Sequence, residues 1–319
     1  MISCTEFIPA YSQMFIYLEE KYGKEEVHKF WANHFNPLSD RHPGNKHPLL
    51  VATEKEGIRG CYTYWSKSLS EEASDFTLYL NENRGYYMME MHHCPSKGRL
   101  LEYQEKTGLV PYPDYCLHCD YYRLSLDKTG LQYTINFAHE NKAACQIIVT
   151  DPKVFDGRVI VDGDTVIMDR RASQNEYFHQ SFHCSTNSCI NFLGCKGGEE
   201  DVRSFLAQYT RNVHKKLIED IHKNGLNALA DRWKEIYQKE KCPEALKTTL
   251  DDKGLTIEVN YCPGVHYLTS SGVVVSPWYR YTKDVVLETI AQECGLNFKI
   301  EKHNTQNGAA CYRIEAANN

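Results

Sequence analysis

No stretch of this sequence approaches the ~20 consecutive apolar residues that a membrane-crossing helix needs. Its opening residues, Met1 to Phe7, carry neither a basic segment nor a clean apolar core of the kind that directs secretion. No membrane partner is expected, and a cytoplasmic setting is. Basic charge is in short supply as well: 36 Lys and Arg against 42 Asp and Glu leave a net charge of −6, which offers a phosphate backbone no general attraction. With no RNP-like, zinc-finger or basic-stripe pattern either, nucleic acid is not an expected partner. A second CxxC is missing, so Cys116-x-x-Cys119 alone does not make a zinc ribbon. His179 and His183 stand at helical spacing, with Cys184, Cys189 and Cys195 nearby, but lack the glutamate of an HExxH site.

What is present is a repetition. Residues 57–95 and 225–263 align without a gap, placing Gly57, Trp65, Glu72, Glu90, Cys94 and Pro95 on Gly225, Trp233, Glu240, Glu258, Cys262 and Pro263. Downstream, Gly130-Leu131-x-Tyr133-x-Ile135 and Ala143-Ala144-Cys145 return as Gly295-Leu296-x-Phe298-x-Ile300 and Ala309-Ala310-Cys311. Upstream, Gly23, Glu25, Val27 and Phe30 match Gly198, Glu200, Val202 and Phe205. A period of that length is a duplicated domain, not a solenoid of short units. The chain of 319 residues, 42% hydrophobic and 24% charged, can bury one or two ordinary cores. Thirteen cysteines, an odd number, in a chain with no export signal point to free thiols, metal ligands or catalytic thiolates more than to disulfides.

We divide the chain into repeat A (1–150), a linker (151–172) and repeat B (173–319). In each repeat a helical half is expected first. Repeat A reads as helices at Phe7–Tyr17 and Lys24–His34, a polar break from Asn36 to His47, and a helix from Gly57 to Leu80 whose apolar face is Trp65, Leu69, Phe76 and Leu80. A strand follows at Tyr86–His93, stopped by Cys94-Pro95. After a polar segment come a helix at Pro113–Asp127, ended by Gly130, and strands at Leu131–Phe137 and Cys145–Val149. In the linker, Val159 to Ile167 reads as a hairpin around Asp162-Gly163. Ser173-x-x-Glu176 reads as a capping box opening repeat B. The expected fold class is α+β: two tandem homologous domains, each a helical N-terminal half followed by a mainly antiparallel sheet with helices on one face, related by internal pseudo-twofold symmetry.

The repeats differ where chemistry is expected. Repeat A reads Pro113-Asp114-Tyr115-Cys116-Leu117-His118-Cys119-Asp120, and repeat B reads Pro277-Trp278-Tyr279-Arg280-Tyr281-Thr282-Lys283-Asp284. On a helix, Cys116, Cys119 and Asp120 share a face, as do Arg280, Lys283 and Asp284. At the strand end, alternation places His92 with Cys94 and turns His93 away. If these faces meet, repeat A gathers a set able to ligate metal or to do nucleophilic and acid/base work. In one reading Cys94 or Cys119 is a nucleophile and Asp120, His92 and the strand carboxylate Glu90 handle protons. In another, Cys94, Cys116, Cys119 and His92 hold Zn²⁺ with an open position for water. Arg280 and Lys283 are candidates to clamp a substrate carboxylate, with Tyr115 and His93 beside the substrate. The plain alternatives stand beside these: Cys94 and Cys262 as small buried residues, Cys145 and Cys311 as core, Glu90 and Glu258 in ion pairs, Arg280 and Lys283 as a solvated face.

The succession Glu90-x-x-x-Cys94, Gly108, Cys119-Asp120, Gly130-Leu131-x-Tyr133 and Cys145 resembles the L-2-amino-thiazoline-4-carboxylic acid hydrolase family over most of repeat A. Repeat B resembles it with losses at Tyr261, Arg280 and Lys283. The resemblance implies hydrolysis of a C–N bond in a small cyclic amidine or amide carrying a carboxylate, with Cys94, Cys119, Asp120 and Glu90 at the site. His92, His93 and Cys116 are this chain's own, and the duplication departs from the single-unit form. A fainter similarity, to 4-vinyl reductase domains, implies a binding module that senses a small ligand, a metal or redox change. The expected partners are a small-molecule substrate and, for the chain itself, a second copy in a homodimer.

Overall fold

A computed structural model of the chain describes residues 1–316. They fall into two compact units. The A unit is Leu18–His179; the B unit joins Met1–Tyr17 to the residues from Gln180 on. The division therefore falls after His179 rather than after the linker, and the first 17 residues belong with repeat B.

The opening helix α1 (Phe7–Tyr22) begins in the B unit and ends in the A unit. It stops at Gly23, where φ is +86°, and α2 (Lys24–His34) follows. The equivalent Gly198, at φ +70°, interrupts the long helix of repeat B in the same way. A side chain with a Cβ rarely takes that backbone, so both copies of the break use glycine. Directly after the stretch read as a break, α3 (Pro48–Glu56) forms, with proline at its first turn and the His47 ring accepting the Leu49 N–H at 3.1 Å. Helix α4 (Arg59–Glu71) buries Cys61, Trp65 and Leu69 and ends there. Phe76 and Leu80, expected on its apolar face, lie instead in strand β1 (Asp75–Asn81), where Phe76, Leu78 and Leu80 alternate inward. Spacings of four fit both periods, and the polar Glu71-Glu72-Ala73 turn decides between them.

Strand β2 (Tyr86–His93) has the expected bounds. The polar segment after Cys94 is helix α5 (Pro95–Thr107), closed by Gly108 in the left-handed region. The helix expected over Pro113–Asp127 is a 3₁₀ segment, Tyr115–Tyr122, running into the short α6 (Arg123–Asp127). Strands β3 (Gln132–His139) and β4 (Ala144–Thr150) close the repeat. The linker makes no hairpin: only its second half is extended, as β5 (Val166–Arg170), and it pairs with β1. The antiparallel sheet runs β3-β4-β2-β1-β5. Its core face packs Leu78, Tyr87, Met89 and Ile147 with Trp65, whose ring stacks on Tyr87 at 5.4 Å. Each such side chain is worth about 1.5–3 kcal/mol of burial.

The B unit repeats this plan. Helix α7 (Phe182–Val213) carries the Gly198 break; Ser173 opens no helix, a short 3₁₀ turn standing there instead. Then come α8 (Lys215–Asn224), α9 (Leu226–Lys239), β6 (Leu246–Asp251), β7 (Gly254–Val259), α10 (Pro263–Ser270), α11 (Tyr281–Glu293), β8 (Leu296–His303) and β9 (Ala310–Ala316). The sheet order β8-β9-β7-β6 is that of β3-β4-β2-β1, with four strands among the described residues. The fold is α+β, as expected. No described helix is long and apolar enough to cross a membrane.

The sheets correct one alignment. Cys145 pairs with Met91, on the core face, whereas Cys311 pairs with Glu258 and Ala310 with Val259. Cys145 is thus the structural equivalent of Ala310, and Cys311 of Gln146. One residue of slip reverses the face, so Cys311 is not core; its thiol meets Glu301 at 3.4 Å.

Candidate active site

The thiols of repeat A converge, but around a different partner than expected. Cys94 follows β2 and caps α5, its backbone extended (φ −63°, ψ 126°). Proline at the next position has no N–H to offer, so the sulfur meets a later free amide of the helix, the Lys97 N–H, at 3.4 Å. A sulfur held there lies at the positive end of the helix, where a thiolate is favoured. Cys94 and Cys145 both pack against the hydrophobic core. Cys119 and Cys116 approach from the 3₁₀ segment, fixed in part by the Tyr133 hydroxyl, which donates to the Cys119 carbonyl at 2.8 Å.

Burial pushes all four thiols up. Cys145 rises to about 12, with the neighbouring Cys94 adding to the effect. Cys116 and Cys119 rise further; for Cys119, charge on Cys94, Cys145, Cys116 or Glu72 would repel its own. Cys94 also rises by burial, but the amides of Lys97 and Ser96 pull it back. It is the thiol of the four with helix amides to stabilise its anion. Lys97, 9% exposed, adds a buried cation whose charge opposes the rise of Cys116.

Glu72 completes the group. It ends α4, and burial raises its carboxyl above the usual range while His179 and Arg99 work against the rise. Arg99 ties this helix end to the start of α5, donating to the Glu72 carbonyl at 2.9 Å and the Pro95 carbonyl at 2.8 Å with its guanidinium 3.6 Å over the Tyr177 ring. The carboxyl is near enough for its charge to lift both Cys94 and Cys119. Glu72 was visible as a repeated residue, matched by Glu240, but it stood outside any motif. Lys97 and Arg99 fall in the stretch after Cys94-Pro95 that reads as a polar segment of repeat A.

Several expected residues lie elsewhere. His92 and Glu90 are on the opposite face of the sheet, because the core face of β2 is the one carrying Tyr87, Met89 and Met91. His92 Nε2 donates to the Thr77 hydroxyl at 2.8 Å, and Thr77 donates to Asp169 at 2.8 Å. Glu90 accepts from the Tyr79 hydroxyl at 3.1 Å. His93 is exposed beside Glu102, 3.7 Å away. Asp120 turns outward and pairs with Arg123. The Tyr115 side chain is buried, its ring against His118. The set Cys94, Cys116, Cys119 and His92 therefore does not assemble. His179 precedes α7 and bonds Glu71 at 2.7 Å rather than sharing a helical face with His183.

In the B unit the equivalent of Cys119 is Lys283, 1% exposed, whose Nζ donates to the Gly308 carbonyl at 2.6 Å. Arg280 pairs with Asp284 at 3.1 Å, and Asp284 accepts from Tyr312 at 2.8 Å. Both cations are engaged within their own unit, so the substrate clamp assigned to them has no support in this geometry. All thirteen cysteines are free.

No family model matches the chain, and neither a curated protein nor a solved structure does.

Proposed function

We propose that the thiol cluster of the A unit is a covalent reaction centre that hydrolyses a C–N bond in a small molecule. The observation that supports it is Cys94 Sγ at the amide-rich start of α5, near enough to Glu72 for the carboxylate charge to raise the thiol. In this reading Glu72 takes the Cys94 proton and the thiolate adds to the electrophilic carbon. Glu72 then returns the proton to the departing nitrogen as the C–N bond breaks, leaving the carbon on sulfur. Water, losing a proton to Glu72, displaces the thiol and releases the hydrolysed product. Lys97 is the cation available to an anionic group of the substrate.

The resemblance to L-2-amino-thiazoline-4-carboxylic acid hydrolases makes small cyclic amidines and amides bearing a carboxylate the substrates to test. A reducing cytoplasm belongs to the same reading, since thirteen free thiols persist there. The test is turnover of such a panel by anaerobically purified protein, with intact mass recorded during the reaction. A transient adduct on Cys94 and a loss of about 10³-fold or more in Cys94→Ser is expected. Full activity of Cys94→Ser would end the proposal.

A further inference from the structure

The B unit holds a second cluster, made of residues other than those of the thiol cluster, and of its members only Glu240 belongs to the aligned repeat. Cys4, His183 and Glu240 are 0%, 1% and 3% exposed, and each offers one ligand atom within 4.8 Å of the other two. Among the described residues they form the group of three His, Cys, Asp or Glu side chains so placed. From this geometry we propose that Cys4, His183 and Glu240 bind a divalent transition metal, zinc by its donor set.

Three features of the cluster fit that ion. The first is spacing: His183 Nε2 and Glu240 Oε2 are 3.1 Å apart. Two ligands of a tetrahedral zinc at about 2.0–2.2 Å stand roughly 3.3–3.6 Å from each other, so an ion needs only a few tenths of an ångström of relaxation. The second is orientation. His183 Nδ1 is occupied by the Tyr279 hydroxyl at 3.1 Å, which leaves Nε2 as the metal-facing nitrogen. Glu240 Oε1 accepts the Cys4 backbone N–H at 2.7 Å, so Oε2 is the oxygen left to coordinate. The third is room for the outer partner. A Cβ on Gly264 would stand 2.1 Å from the Tyr279 oxygen and 2.8 Å from His183 Nδ1, so glycine at the start of α10 is what lets that pair form.

A soft thiolate, an imidazole and a carboxylate suit zinc and cobalt better than magnesium or calcium. Binding would displace the Cys4 thiol hydrogen and replace the His183–Glu240 hydrogen bond with two bonds to the ion. Three protein ligands leave one of four positions for water or a small ligand. Among the described residues no such group forms around Glu72, the residue aligned with Glu240. This assignment stands on the B unit alone and does not depend on the reaction proposed for Cys94.

The test uses the full chain, purified anaerobically, stripped with chelator and dialysed against zinc or cobalt alone. We expect about one ion per chain by mass spectrometry and, with cobalt, a near-ultraviolet sulfur-to-metal absorption. That band should vanish in Cys4→Ser and persist in Cys94→Ser. Tyr279→Phe, which keeps the packing, should weaken zinc binding about tenfold. Less than a tenth of an ion per chain in the wild type after loading overturns the proposal and leaves a buried His183–Glu240 ion pair. Retention of the cobalt band in folded Cys4→Ser overturns it as well.

Discussion

Cys145 lies opposite Met91 across the β2–β4 pairing, and this single register fixes which residues of the closing strand face the core. Its counterpart in the B unit gives the inward place to Tyr312, fully buried with its hydroxyl on Asp284, and the outward place to Cys311. Tyr312→Ala should therefore cost about 3–5 kcal/mol, and Cys311→Ala no more than about 0.5. Urea unfolding of the two variants checks the register. A larger loss in Cys311→Ala than in Tyr312→Ala would mean that the strand is shifted by one residue.

Acid should weaken the A unit through its buried histidines. Burial holds His42 down to about 2, His47 to about 3 and His118 to about 4, with Arg41 adding to the first two. All three are neutral in the folded protein, and His47 must be, because Nδ1 accepts the Leu49 amide. Their folded values lie below the ordinary value near 6.5, so the unfolded chain binds protons first as pH falls. Stability is unaffected by them above pH 6.5. Below it, each histidine lowers stability by about 1.4 kcal/mol per pH unit until its own folded value is reached. Urea midpoints at pH 7, 6 and 5 should fall steadily, and His47→Gln should flatten the slope by one proton's worth. An unchanged slope in His47→Gln would count against a neutral buried ring at that position.

Two glycines without strained backbone separate tight packing from mere proximity. A Cβ on Gly60 would lie 2.4 Å from the Ala52 carbonyl carbon and oxygen, where α3 and α4 meet through their backbones. One on Gly98 would touch the His93 ring at 2.2 Å, but that ring is half exposed and can swing away. Gly60→Ala should lower stability by more than about 2 kcal/mol and Gly98→Ala by less than about 1. Thermal unfolding of both decides it.

Thiol reactivity gives a check that needs no substrate. Cys195 is exposed, while Cys61 is buried and pushed well up by burial. Brief alkylation near pH 8 should label Cys195 first and leave Cys61 unmodified until the protein unfolds. Peptide mass mapping reads this directly, and early loss of Cys61 would contradict the packing of α4.

Much of the architecture was legible because a duplication states its alternation twice. The bounds of β2, the paired helix breaks at Gly23 and Gly198 and the α+β class all follow from local pattern. The errors have physical causes. Pro95 was taken as a strand terminator, yet it also starts a helix, and Gly108 thirteen residues later marked its end. Phe76 and Leu80 satisfy helical and extended spacing alike. His92 was placed with Cys94 by alternation, but Cys94 already belongs to a helix cap, where alternation no longer holds. The partners of the thiols, Glu72 and Arg99, depend on how α4 and α5 approach each other. Cys4 reaches Glu240 across 236 residues of chain, a closeness no local pattern encodes.

The sharing of α1 between the units has a consequence for synthesis. Residues 18–179 hold all of the A unit, so it can fold while the rest of the chain is still being translated. Met1–Tyr17, by contrast, leave the ribosome well before Gln180 and must wait for it and the residues beyond before the side chains they pack with exist. During that interval Phe7, Ile8, Tyr11, Met14 and Phe15, all buried in the finished protein, have no core of their own. A single cut at the linker would likewise separate this segment from its unit, so expressing the repeats as two halves strands it on the wrong piece.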